Sequence, residues 1–315
     1  MRRQYDVVSA LDVCVDFIVT GKDTRPEYSQ TEKLIDDYAI EIGGSACIFA
    51  CQAAKLGLKT AGVGVFGNDL FGRFVWDRLL SAGIDLSGSK TADEIKTAVG
   101  IALTEENDRA ILTYLGTIAA EGLEKALEEY ITKTRHLHIG SYFIMNGIRP
   151  HYYNLACKAK KQGVTVSLDT NWDPEERWDG GLLRLLPMVD VFFPNENEIT
   201  RIAGIESIGE AAASLCGNAG LVVVKKGGNG ASVYDGTGLA ADLGAIPVDV
   251  TDTIGAGDSF DAGFLFSYLN GKSMDECLAS AIYCGSMSAR GRGGISAQVR
   301  LPDLHEYMAA KGTRP

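Results

Sequence analysis

The nine residues from Asp252 to Phe260 read D-T-I-G-A-G-D-S-F, and an apolar run from Asp261 to Leu269 follows at once. Gly255, Ala256 and Gly257 are small enough to let backbone N–H groups turn inward where a helix begins. Its unpaired amides and positive dipole end then form an anion site. Asp258 falls in the first turn of that helix, where a negative charge is stabilised. An anion cradle beside a carboxylate is what phosphoryl transfer to a hydroxyl needs. The amides hold the charge on the moving group, and the carboxylate takes the hydroxyl proton. A plain helix start with glycines in its turn is the competing reading of so short a motif.

Other residues are spaced for chemistry. Asp12 and Asp16 stand four apart at the end of the first strand, and a carboxylate accepts two hydrogen bonds from a vicinal diol. Gly43 and Gly44 let the backbone approach a ligand closely. Asn195 and Glu198 lie three apart in the first turn of a helix and face the same way, although the same pair also reads as an N-cap with Glu at N3. Gly62, Gly64 and Gly67 match a dinucleotide-binding spacing, with Asp85 eighteen positions further on. That fingerprint normally sits on the first strand of its domain, and here a strand precedes it. A P-loop fails at Gly271-Lys272-Ser273, where Phe266 occupies the place of the leading glycine.

Five segments carry a resemblance over nearly the whole chain. They are I-G-G-S-A-C-I-F-A-C-Q-A-A-K-L-G (42–57), V-G-V-F-G-N-D-L-F-G (63–72), P-N-E-N-E (194–198), V-V-V-K-K-G-G-N-G-A (222–231) and the 252–260 motif. In this order they resemble the signatures of the ribokinase-like carbohydrate kinases, also called the phosphofructokinase-B type. The resemblance implies a single ribokinase-like domain over 1–315, a three-layer α/β/α sandwich with a small β-sheet lid inserted at about 13–42 and 96–116. It implies ATP, Mg²⁺ and a small sugar or polyol as substrate, with Asp258 as general base and the 255–257 amides as anion hole.

By the same resemblance, Asp16 and Asp12 contact substrate hydroxyls under the lid, near Gly43 and Gly44. Arg109, after the lid turn, lies near the substrate, and Asn171 in L-D-T-N-W-D-P lies near the phosphate path. Asn195 and Glu198 act on the nucleotide phosphates through Mg²⁺ and its waters. Lys225 meets a β or γ phosphate beside Gly227 and Gly230. Asp252 and the glycine-rich 291–296 segment enclose a monovalent cation such as K⁺, and the lid pairs two subunits in many relatives. One departure stands out: relatives carry Asn where this chain has Ile48. An apolar side chain at a sugar contact predicts a substrate that lacks a hydroxyl there, points it elsewhere or presents an apolar edge, unless Ile48 packs in the helix core and faces no ligand. Two other readings share the fold: a nucleoside kinase, which needs an aromatic cage for the base, and a catalytically silent interaction protein, which the intact base and cradle disfavour.

The composition suits such a chain. Its 315 residues, 46% hydrophobic and 23% charged, suffice for a full core. A net charge of −11 argues against a nucleic-acid partner. The start, Met1-Arg2-Arg3, resembles a leader peptide, but Asp6, Asp12 and Asp16 interrupt any apolar stretch. No apolar run has the ~18 residues of a membrane span. Seven cysteines without a C-x-x-C pattern point to reduced thiols and a cytoplasmic protein. Cys47 and Cys51 share a helix face and His136 and His138 share a strand face, and both pairs read as structural.

These residues must be positioned by alternating strands and helices, which imply βαβ units and a parallel sheet with its site at the carboxyl ends of the strands. The expected strands are 5–11, 60–66, 136–139, 164–169, 189–193 and 221–225. The expected helices are 45–56, 70–82, 150–162, 195–203, 257–269 and 274–289. Tyr38, Ile40 and Ile42, then Val99, Ile101 and Leu103, and then Ile111–Leu115 beyond a polar turn at 105–108, alternate with period 2. They predict antiparallel strands with one covered face.

Overall fold

The computed structural model describes residues 3–104 and 109–312, Arg109 by its backbone alone. The first part of the chain forms β1 (Tyr5–Leu11), β2 (Cys14–Thr20), β3 (Asp37–Gly43), α1 (Ser45–Lys55), β4 (Thr60–Gly67) and α2 (Leu70–Ser81). It continues with β5 (Lys90–Ala92), β6 (Ala98–Thr104), β7 (Arg109–Tyr114), α3 (Glu124–Ile131), β8 (Thr134–Ile139), α4 (Tyr152–Lys161) and β9 (Thr165–Leu168). Then come α5 (Leu182–Leu185), β10 (Val191–Phe192), α6 (Glu196–Ala203), α7 (Ile208–Cys216) and β11 (Leu221–Lys225). The rest is β12 (Ala231–Asp235), β13 (Gly238–Leu243), α8 (Ala256–Leu269), α9 (Met274–Ser288) and α10 (Leu301–Ala310).

The large sheet has the order β13-β12-β11-β10-β9-β8-β1-β4-β5. Its strands run parallel from β11 to β5, and the β12–β13 hairpin closes the other edge antiparallel. Both faces are covered, as a parallel sheet requires. Val8, Val222 and Val224 pack with α3, α4 and α7 on one side, while Val7 and Val223 pack with α1, α8 and α9 on the other. The period-2 switch of neighbouring valines between two cores is what makes three layers.

Expected and observed elements agree closely, with β1 and β11 at their expected ends. The helix expected from Pro150 opens with a 3-10 turn over Arg149–His151, since Pro has no N–H to give an earlier turn. Only Val191 and Phe192 of the expected 189–193 strand are sheet-bonded.

A separate small sheet has the order β3-β2-β6-β7. Its central strand β2 pairs β3 antiparallel and β6 parallel, so the expectation of antiparallel strands throughout is corrected. Alternation tells which face is covered and carries no information on direction. The polar turn expected at 105–108 lies outside the described residues.

Gly44 precedes α1 with no side chain of its own to cap it. Asp12 supplies the cap from the end of β1, accepting from Ala46 N (3.0 Å) and Cys47 N (3.3 Å). The fit is tight. Gly44 has φ 83°, and a Cβ there would lie 2.1 Å from the Asp12 carbonyl oxygen. Gly83 has the same φ of 83° with nothing within 4 Å. Gly83→Ala is expected to cost about 1–2 kcal/mol from backbone strain alone. Gly44→Ala adds overpacking of about 1–3 kcal/mol. Denaturant unfolding of both variants checks the difference, and equal losses would contradict the close packing.

Candidate active site

The carboxyl ends of β1, β8, β9, β10 and β11 converge below the start of α8. Gly255 begins that helix at φ 73° with no side-chain cap, which leaves first-turn amides for an anion. Ala256 N–H, one of the three expected cradle amides, bends back to the Thr253 carbonyl at 3.3 Å. A Cβ on Gly255 would lie 2.6 Å from Gly294 Cα and 2.8 Å from Ile48 Cγ2. Ile48 is buried, with its Cδ1 2.4 Å from where a Gly294 Cβ would be. The expectation that Ile48 faces the sugar is therefore corrected: its methyl groups wedge the two glycine loops.

Asp258 sits in the first turn of α8 and is buried. Burial, reinforced by the charges of Asp169 and Asp12, pushes its carboxyl well above the ordinary range, against the pull of Lys225 and a hydrogen bond with Ser45. The Lys225 ammonium lies 2.6 Å from Asp169 Oδ2 and 3.4 Å from Asp261 Oδ1. Burial works against the ammonium, but Asp169, Asp261 and Glu198 outweigh it and raise its pKa. Burial likewise opposes ionisation of Asp169, and Lys225 with the surrounding hydrogen bonds brings it below the usual range. Gly257 lies beside this ammonium: a Cβ there would be in ordinary contact with Lys225 Nζ at 3.5 Å.

Asn171, held at φ 53°, ties the cluster together. Its N–H donates to Asp169 Oδ1 (3.0 Å), and its Nδ2 donates to Ser45 Oγ (2.7 Å) and Ser141 Oγ (3.1 Å). Ser141 Oγ in turn donates to Asp12 Oδ2. Both Asp12 oxygens are thus engaged and the residue is fully buried, with burial pushing its carboxyl up to about 6. The structure gives the Asp12 oxygens to the α1 terminus and to Ser141. Asp16 remains partly exposed on β2. The neighbouring glycines make room for it, since a Cβ at Gly43 or Gly100 would lie 2.3 or 2.7 Å from its Oδ1.

Asn195 and Glu198 form the capping box of α6. Glu198 Oε2 accepts from Asn195 N (2.9 Å) and Oε1 from Asn195 Nδ2 (2.7 Å), so the pair already satisfies itself. Gly227 opens the turn after β11 at φ 52°, while Gly230 serves packing, since a Cβ there would lie 1.9 Å from Leu243 O. Asp252 clamps two loops, Oδ1 accepting from Ile254 N and Oδ2 from Gly293 N, each at 2.9 Å. Arg109 pairs with Thr104 in β7, and its side chain lies outside the described residues.

Several alternatives fall away. Gly62, Gly64 and Gly67 lie within β4 rather than in a turn, and Asp85 accepts from Tyr5 and Ser87. His136 and His138 share Ser167 Oγ at 2.7 and 2.8 Å, and burial holds both imidazoles below their usual pKa. Cys47 and Cys51 are buried core thiols. Among the described residues no cluster of three or more acidic, His or Cys side chains is arranged to hold a metal directly. No helix among them is long and apolar enough to cross a membrane.

The family model for pfkB carbohydrate kinases matches residues 7–300. The chain belongs to that family. This pfkB kinase is 33% identical over 257 residues to an ATP-dependent ribose-1-phosphate kinase of Halopiger xanaduensis, covering 81% of this chain and 82% of that one. It is 30% identical over 242 residues to a cytidine kinase of Thermococcus kodakarensis, covering 75% and 83%. Its fold matches that of Arabidopsis thaliana ribokinase, solved with ribose and ATP, at TM-score 0.84 and 23% identity, covering 98% and 99%. The pfkB kinase therefore has the ribokinase-like fold.

Sequence reasoning missed Asp169, Asp261, Ser45 and Ser141. Asp261 left a signal, an acid opening an apolar helical run. The serines left none, because each is recognisable only by what it touches.

Asp258 sets a pH dependence of stability. Its folded pKa is raised, so between the unfolded value near ~4 and the folded one the native state binds more protons. Stability contributed by this group is therefore lost as pH rises through that window. Asp258→Asn removes the effect, and its melting temperature should exceed that of the wild type by on the order of a few °C at pH 8, with a smaller gap at pH 5. Calorimetry at both pH values decides it. A gap that shrinks with rising pH would contradict a raised pKa for this buried carboxyl.

Proposed function

We propose that this chain transfers the terminal phosphoryl group of ATP to a hydroxyl of a small sugar or related polyol. The observation that carries the reading is Asp258, buried in the first turn of an uncapped helix directly after the αL glycine. Asp258 takes the hydroxyl proton, while amides of the 255–257 turn hold charge on the phosphoryl group. A raised pKa makes the Asp258 carboxylate a stronger proton acceptor than an ordinary aspartate. Asp16, Gly43 and Gly44 position the substrate under the small sheet, which acts as a lid within a single domain.

Lys225 meets a terminal phosphate, with Asn195, Gly227 and Gly230 lining the nucleotide side, Asn171 near the phosphate path and Arg109 near the substrate. Both Glu198 oxygens are already engaged, so Mg²⁺ fits there only through water. The ion would supply shielding of the phosphate charge. Asp252 likewise uses both oxygens on amides, so a monovalent cation in that loop would rest on backbone carbonyls. The free state of all seven cysteines supports a cytoplasmic enzyme.

The small sheet exposes Tyr38, Ile101, Leu112 and Tyr114, which supports pairing of two copies through the lid. Sedimentation of wild type and Leu112→Asp at the same concentration tests this, and identical monomers would end it. A nucleoside kinase is the second reading, favoured by the similarity to the cytidine kinase.

ATP consumption across pentoses, ketoses, sugar phosphates, sugar acids, inositols and nucleosides separates the two readings. The expected result is turnover on a sugar or polyol, faster in potassium than in tetramethylammonium buffer. Turnover on nucleosides alone would overturn the sugar reading, and equal rates in the two buffers would remove the cation.

A further inference from the structure

Three residues after Asp258, α8 places a second carboxyl, Asp261, fully buried. A separation of three brings both acids to the same face of the helix. Asp261 Oδ1 lies 3.4 Å from Lys225 Nζ, whose nearer partner is Asp169 at 2.6 Å. Asp261 Oδ2 is buried with no hydrogen-bond partner among the described residues, which an ionised carboxylate would tolerate poorly. A neutral acid that accepts from Lys225 through Oδ1 suits this burial.

We infer that Asp261 is the positioning residue that fixes Lys225 beneath the first turn of α8, acting as a neutral hydrogen-bonding arm rather than as a second base. Lys225 ends β11 and Asp169 follows β9, so among the described residues the Asp261 contact is the hydrogen bond that ties this ion pair to α8. Without it, Asp169 draws the ammonium toward the sheet and away from the first turn of α8.

This inference rests on the reading that Lys225 meets a terminal phosphate. The probe is Mg·ATP, with Mg·ADP as the ligand lacking that phosphate, titrated calorimetrically into the full chain. Asp261→Leu should weaken Mg·ATP about tenfold and Mg·ADP much less. Asp261→Asn, whose amide oxygen can still accept from Lys225, should recover most of the loss. In a Lys225→Met background Asp261→Leu should add less than about twofold, because both changes remove one interaction.

Additive losses, equal weakening of both nucleotides, or an Asn variant as impaired as Leu would each overturn the role. The folded Asn variant keeps the test decisive should Leu fail to fold. Wild type that binds no Mg·ATP would instead overturn the kinase reading itself.

Discussion

An ammonium held largely out of water needs carboxylates beside it, and the ion pair of half-buried Lys225 with buried Asp169 is the interaction on which the rest of this site depends. Removing one partner of a buried pair typically costs about 3–5 kcal/mol, because the other charge is left stranded. That constraint dictates which elements must meet. Asp169 ends β9, Lys225 ends β11, and β10 between them must be parallel to both for these ends to lie at one edge. The helix laid over that edge then starts where positive charge, uncapped amides and a desolvated carboxyl coincide. Burial first, then Asp169, raise the pKa of Asp258 while Lys225 lowers it, so the same ion pair also tunes the carboxyl proposed as the base.

Small residues at close approaches translate this electrostatic frame into a shaped site. Gly255 and Gly294 leave room for Ile48, whose methyl groups fill the space between their loops. Asp252 joins the same loops by its two oxygens, and the Arg292–Asp37 pair carries the connection on to β3. The glycine turn that opens α8 is therefore braced by an apolar wedge and by a carboxylate clamp. The cost appears at Ala256, whose N–H is partly diverted to Thr253.

Much of this was legible in the sequence, for identifiable reasons. Valine runs with turns between them announced β1 and β11, and the 3.6-residue stripes announced α1, α2 and α9. The D-T-I-G-A-G-D-S-F motif placed Asp258 correctly at a helix start, because glycine spacing encodes a local backbone event. What stayed hidden depends on tertiary contact. Asp12 read as a ligand residue because nothing local reveals that its oxygens cap a helix thirty-four residues away. Ile48 read as a pocket wall for the same reason. Strand β2 was obscured because Cys-Val-Asp-Phe-Ile-Val-Thr is apolar on both faces, so it shows no clean alternation. Asp261 opens an apolar run, but nothing local reveals that it meets Lys225 thirty-six residues away.

The central claim is that Asp258 is the proton acceptor for phosphoryl transfer. The most direct measurement is single-turnover transfer from ATP to the best substrate of the panel by Asp258→Asn, with Mg·ATP affinity measured alongside. The account predicts a transfer rate lower by roughly 10²–10⁴ and nucleotide binding close to that of the wild type. A variant that keeps more than about a tenth of the wild-type rate would contradict it, since loss of a general base costs more than that.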